Sequence, residues 1–178
     1  YRLSAHNHRS DGFRRNAYLG RDDTNGRDET TLRARFALQL SDVLESDVAL
    51  VYGRIEDGYD AWALDNGYTV LSDNPGQDAQ ESIGASMRLE WRGMGFADLT
   101  SITAVADSNI VFSFDADWGN ADSWAPVTYD YTSASDRERR TISQEIRLAS
   151  NDDNAATDWL LGVYALQLDD DADLVGNE

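Results

Sequence analysis

Apolar and polar residues alternate one for one through several stretches of this chain, and the links between those stretches alternate between long and short. ETTLRARFALQLS sets Leu32, Ala34, Phe36, Leu38 and Leu40 against Thr31, Arg33, Arg35, Ala37 and Gln39. SIGASMRLEW sets Ile83, Ala85, Met87, Leu89 and Trp91 against Gly84, Ser86, Arg88 and Glu90. TISQEIRLA sets Ile142, Ile146 and Leu148 against Thr141, Ser143, Glu145 and Arg147, and YRLSAHNH sets Tyr1, Leu3 and Ala5 against Arg2, Ser4, His6 and His8. Successive side chains of a strand point to opposite faces, so each stretch predicts a strand with one apolar side. SDVALVYGRI, ADLTSITAVA and WLLGVYALQL are apolar on both sides, and their orientation stays open. In the last of these, Leu160, Tyr164 and Leu166 compete with Trp159, Leu161 and Val163.

The links between these strands predict an architecture. They are long at 9–28, short near 41–46, long at 56–81, short at 92–95, long at 107–139 and short at 151–158. An up-and-down antiparallel sheet with one smooth end and one elaborate end has this rhythm, as in bacterial outer-membrane barrels with short periplasmic turns and long extracellular loops. Trp91, Phe96 and Trp159 gather at the short-link end, where an interfacial aromatic girdle would lie, while Tyr52 and Tyr164 lie further up their strands. Charges at Arg33, Arg35, Arg88, Glu90, Glu145 and Arg147 lie mid-strand on the opposite face, as a polar lumen requires. A soluble sandwich with aromatics capping its core is the competing architecture.

Composition narrows the function. With 15 Lys+Arg against 33 Asp+Glu, the formal net charge is -18, which repels phosphate backbones and excludes nucleic acid as a partner. The absence of Cys removes disulfides, thiolate metal sites and cysteine nucleophiles. No run is apolar for long enough to form a transmembrane helix, and no signal peptide pattern is present; neither point bears on a barrel, whose strands are never uniformly apolar. The chain opens at Tyr1 and stops in an acidic run, and we read it as part of a longer protein.

Catalytic motifs are lacking. His6 and His8 share a strand face, a spacing able to bind a transition metal, but no third ligand is near; a solvated pair facing the lumen is the simpler reading. DADWGN at 115–120 resembles the opening of a calcium loop, yet Pro126 stands where an EF-hand needs a bidentate acid, so an ordinary acidic loop is expected. DDDAD at 169–173 reads as a solvated charge run. The long links are rich in aromatics: Tyr59, Trp62 and Tyr68 in the second, and Phe112, Phe114, Trp118, Trp124, Tyr129 and Tyr131 in the third. These rings suit either ligand capture or packing of one link on another. No enzyme chemistry, cofactor or resident metal is expected.

Several stretches together resemble a known family. DDTNGRDETTLRARFALQLSD, EDGYDAWALDNGYTVLSDNPGQDAQES, LTSITAVADSNIVFSFDADWGN and RRTISQEIRLASNDDNAATDWLLGVYAL are similar to the barrel of TonB-dependent outer-membrane receptors. The strand SQEIRLAS, followed after an acidic turn by DWLLGVYAL, is the most specific element. The resemblance covers nearly the whole chain and about the first third of such a barrel. It implies an all-β fold in which 1–178 is a partial barrel domain of about six strands from a 22-stranded barrel, plugged by a separate N-terminal domain. It also implies import of a scarce nutrient, most commonly a ferric siderophore, across the outer membrane of a Gram-negative bacterium, energised by the TonB–ExbB–ExbD complex. Plug and TonB-contacting box lie outside these residues. The ligand-contact candidates are Tyr59, Trp62, Tyr68, Trp118 and Trp124. A passive porin-like barrel and a secreted glycan-binding sandwich are the alternatives.

Overall fold

The computed structural model describes residues 1–151 and 156–177. Its strands are β1 (Arg2–Ser10), β2 (Arg15–Asn16), β3 (Arg27–Ser41), β4 (Leu44–Tyr59), β5 (Thr69–Val70), β6 (Gly76–Trp91), β7 (Ala97–Asp115), β8 (Thr132–Ser150) and β9 (Leu160–Asn177). Seven of them form one antiparallel sheet in the order β1-β3-β4-β6-β7-β8-β9. Chain order is therefore spatial order, and β1 and β9 are the two edges. The remaining pair, β2 and β5, lies in the long links and is parallel.

The up-and-down order and the rhythm of the links are as the sequence suggested, with two corrections. Seven long strands stand where about six were expected. The long links also shrink to 11–26, 60–75 and 116–131, because the strands run further than their alternation. Phe112 and Phe114 thus belong to β7, and the DDDAD run lies within β9, where Asp170 pairs with Arg139 at 2.8 Å. The third short link includes residues 152–155, which are outside the described part.

Register orients the strands that the sequence left open. Residues directly opposite one another share a face. One row runs Leu44, Trp91, Leu99, Leu148, Leu161; another runs Leu3, Ala34, Leu50, Ala85, Val105, Ile142. Leu161 and Val163 therefore share the apolar face with Leu148 and Ile146, while Tyr164 and Leu166 lie beside Glu145 and Ser143 on the other. Val48, Leu50 and Tyr52 of β4, and Leu99 and Val105 of β7, join the apolar face as well.

That face changes character at one level. The row above Leu3–Ile142 reads Ala5, Leu32, Tyr52, Ile83 and then Asp107, Arg140, Asp169; the next reads Asn7, Thr30, Arg54, Glu81, Asn109, Glu138, Asp171. From β6 to β7 the apolar limit moves one row toward the short links. The short-link ends move the same way: Trp91 is level with Leu99, and Ala97 and Ser150 lie a further row beyond. The apolar run is nine residues long in β3 (32–40) and β6 (83–91). In β7 and β8 it is interrupted by Ser101, Thr103 and Gln144, where Gln144 accepts from the Thr103 hydroxyl at 2.6 Å and donates to the Ser101 hydroxyl at 3.0 Å, and in β9 it gives way at Gln167. The large side chains of this apolar band, including Leu32, Phe36, Leu38, Leu50, Ile83, Met87, Val105, Ile142 and Ile146, are exposed. No second sheet covers them among the described residues.

Burial lies instead in the long links. The largest fully buried side chains are Val70, Asn16 and Ser72, all at that end of the sheet. Backbone bonds join the links into one cap: Arg15 N to Tyr68 O at 3.0 Å, Ala17 N to Val70 O at 3.0 Å, Gly58 N to Gly26 O at 2.9 Å and Asp73 N to Gly119 O at 2.9 Å. Gly12 allows the first link to fold back. Its φ is +89°, and a Cβ there would sit 2.2 Å from Asn25 O. Gly12→Ala is expected to destabilise the cap by about 1–3 kcal/mol, seen as faster protease cleavage within 11–26 while the sheet stays intact.

Candidate functional site

The cap brings together part of the aromatic set. Trp62, just beyond β4, stacks on Trp118, just beyond β7, with ring centres 5.5 Å apart and planes 23° from parallel. Trp62 is 50% exposed and Trp118 42%, so the pair presents a flat aromatic surface to solvent. Tyr59 lies behind it, edge-on to Phe112 at 4.8 Å. The other two candidates stand apart. Tyr68 packs edge-on against Phe13 of the first link at 6.1 Å, and Trp124 heads a separate chain of rings through Tyr129 and Tyr131. Phe13–Tyr68 and Trp62–Trp118 each join two links, whereas Trp124, Tyr129 and Tyr131 pack within one; Tyr68 is exposed as well, and Trp62 and Trp118 are the exposed rings that stack on each other.

Trp118 is held in an unusual conformation, with φ 62°. A bulky residue in the left-handed region is strained, and such strain concentrates at functional sites. The DADWGN loop supplies the restraint. Asp115 Oδ1 accepts from the Asp117 and Trp118 N–H groups, both at 3.1 Å. Asp117 accepts from Gly119 N at 3.0 Å and Tyr131 N at 2.9 Å. These carboxylates cap their own loop, as in the ordinary acidic turn expected from the sequence.

Beneath the tryptophans lies a polar core that the sequence did not announce. Asn16 Nδ2 donates to Asp60 Oδ2 and to Ser72 O, both at 2.8 Å, and Asn16 Oδ1 accepts from Leu19 N at 2.9 Å. Asn120 Nδ2 donates to Leu71 O at 2.8 Å. Three links are thus tied by two buried amides. Burial raises the Asp115 carboxyl above its ordinary range, and the Asp117 charge adds to the rise against a lowering contribution from Ser72. Burial raises Asp73 too, with Asp117 and Asp130 contributing.

The sign of the pH dependence follows. A carboxyl whose folded value lies above its unfolded one binds more protons in the folded state, so its contribution to stability falls as pH rises. The opposition from Asp73 and Asp115 is complete above their raised values and vanishes below the unfolded range. Hydrogen exchange in the cap, corrected for intrinsic rates, is expected to slow as pH falls through that window. Asp115→Asn should flatten the slope.

On the face opposite the apolar band, charges are paired near the short links. Arg92 reaches Glu45 at 3.2 Å and Glu90 at 2.7 Å, Arg88 reaches Asp47 at 3.7 Å, and Arg147 pairs along its own strand with Glu145 at 2.6 Å. Arg33 and Arg35 do not follow: with Arg2 they line a small hollow at the β1 edge and have no ion-pair partner among the described residues. His6 and His8 lie on this face opposite Thr31 and Glu29. Among the described residues, no three His, Asp or Glu side chains come together as a metal cage. No helix is long and apolar enough to cross a membrane, which says nothing of strands. No known protein family, curated protein or solved structure matches the chain.

Proposed function

We propose that this chain forms part of the wall of a TonB-dependent outer-membrane receptor, a transporter and not an enzyme. One observation carries the reading: a sheet face with no layer over it among the described residues carries apolar runs of nine residues in β3 and β6, and these give way to polar and charged residues toward the long links. Membrane-spanning strands need about 9–11 residues each, and the band supplies nine, as in 83–91. A sandwich core would have a second sheet against this face, and all seven long strands lie in one sheet.

In this reading the apolar face meets lipid, with Trp91, Phe96 and Trp159 at the periplasmic interface and Tyr52 at the outer one. The paired charges face the lumen. The unpaired edges of β1 and β9 continue into further strands that close the barrel. The long-link cap is extracellular and presents Trp62 and Trp118 to the nutrient, a ferric siderophore by the family resemblance. Plug and TonB box, both outside this chain, would couple import to TonB–ExbB–ExbD.

Fractionation tests the membrane assignment, since recovery of the full-length protein from the soluble periplasm or medium would sink it. The upstream sequence separates a TonB-dependent receptor from a passive porin: without a plug-like domain and TonB box, energised import has no basis. Growth of a deletion strain on different iron sources tests the ligand, and indifference to every siderophore removes iron. Trp118→Ala is expected to weaken nutrient binding about ten-fold or more, from the loss of one stacking face at about 1–3 kcal/mol, with unchanged amounts in the membrane.

A further inference from the structure

The face opposite the apolar band has one place where charge pairing fails. Elsewhere on it arginines stand beside carboxylates: Arg88 and Asp47 at 3.7 Å, Arg139 and Asp170 at 2.8 Å, Arg147 and Glu145 at 2.6 Å. At the β1 edge three arginines meet instead. Arg2 lies directly opposite Arg35, and Arg33 lies opposite Ser4 one row further on. On their other side Arg33 and Arg35 meet Val51 and Ala49, which offer no charge. Arg2, Ser4, Arg33 and Arg35 line a hollow of about 120 Å³, with room for several waters and no carboxylate in its wall. All four residues are exposed. Like charges directly opposite one another destabilise a sheet. In a chain with 33 Asp+Glu against 15 Lys+Arg, three cations meeting without an acid run against both composition and local pairing. Sequences break such rules where a function requires it.

We propose that Arg2, Arg33 and Arg35, with the Ser4 hydroxyl, bind a doubly charged tetrahedral oxyanion of the phosphate class. Guanidinium groups present planar forks of N–H donors that match phosphate oxygens, and they shed water more readily than an ammonium. The donors come from two adjacent strands, an arrangement that suits a tetrahedral group better than one flat carboxylate. The bound charge offsets the repulsion between Arg2 and Arg35, so binding also ties the edge strand to β3. The site stands on the pairing of β1 with β3 and does not depend on whether the opposite face meets lipid.

A cysteine in the hollow reports on it, since the chain itself has none. Ser4→Cys in the full-length protein removes one donor and keeps the three guanidinium groups. Its rate of reaction with a sulfonate-bearing thiosulfonate is compared with that of a trimethylammonium-bearing one. The anionic reagent is expected to be faster by about ten-fold or more, and inorganic phosphate should slow it well beyond the effect of sodium chloride at equal ionic strength. Arg35→Gln in the same background should bring the two rates together and remove the phosphate effect. Arg35→Lys should keep the preference for the anionic reagent and weaken the phosphate effect. Ser143→Cys, in the same row of the same face but on β8, should show neither effect, and its rates should be unchanged by Arg35→Gln if the sheet is intact. The proposal is overturned if the cationic reagent is as fast at Ser4→Cys. It is overturned too if phosphate protects no better than sodium chloride, since the preference would then be diffuse attraction. Failure of both reagents to reach Ser4→Cys overturns it equally, because another part of the protein then fills the hollow.

Discussion

Met87→Arg is expected to cost about 2–4 kcal/mol in a bilayer, the range for a cation at mid-depth on the lipid face of a barrel. Met87 sits midway along the band in β6, flanked by Val48 and Thr103. Its neighbour Ser86 points to the other face, between Ala49 and Ala104. An arginine there meets small side chains and water, so Ser86→Arg should change stability little. Glu81, two rows beyond Ala85 on the apolar side, already carries a charge and hydrogen-bonds the Tyr52 hydroxyl at 2.8 Å. Arginine at Glu81 should accordingly cost far less than at Met87. Equilibrium unfolding from lipid vesicles measures all three, and the amount recovered in the outer membrane should follow the same order. A cost that does not depend on face or depth would contradict a lipid-facing band.

Asn16→Ala should produce the largest effect within the cap. The residue is fully buried and its side chain makes three hydrogen bonds, to Asp60, Ser72 O and Leu19 N. Truncation leaves those buried groups without their partners, at about 1–3 kcal/mol for each group left unsatisfied. A net loss of about 3 kcal/mol is the expectation, confined to the links. Hydrogen exchange at β2 and β5 should accelerate by about two orders of magnitude, while the ladder from β3 to β8 keeps its protection. Asn16→Asp should be no milder, because it adds a charge beside the Asp60 carboxylate. Equal loosening of cap and sheet would show that the cap is not a separate unit.

The sheet was largely legible in the sequence because the apolar band has one polar side. Leu32 to Leu40 and Ile83 to Trp91 alternate cleanly there, and Ile142 to Leu148 does so except at Gln144. β4, β7 and β9 were not orientable, since both their faces are apolar and only cross-strand partners decide. Tyr164 lies beside Glu145 and Leu161 beside Leu148, which no local pattern reveals. Strand length was underestimated for a different reason. Above the band the apolar alternation on that face disappears while the ladder continues, as in the upper part of β8 and across the acidic run of β9. The site was the least legible part. Asn16 meets Asp60 across 44 residues and Ser72 across 56, and nothing in the first link marks it as the centre of a buried network. Aromatic content named Trp62, Trp118, Tyr68 and Trp124 alike, and no local pattern shows that the first two stack on each other while Tyr68 meets Phe13 and Trp124 meets Tyr129.

The central claim is that one face of the sheet touches lipid. This chain contains no cysteine, so single cysteines placed along 82–91 report on it without background from the chain itself. The most direct measurement is the accessibility of spin labels at those positions, in the full-length protein reconstituted in bilayers, to oxygen and to a water-soluble nickel complex. Labels at 83, 85, 87, 89 and 91 should favour oxygen, those at 82, 84, 86, 88 and 90 should favour the nickel complex or be shielded from both, and the oxygen preference should peak near 87. Oxygen preference without a period of two, or nickel access at 87 equal to that at 86, would contradict the account.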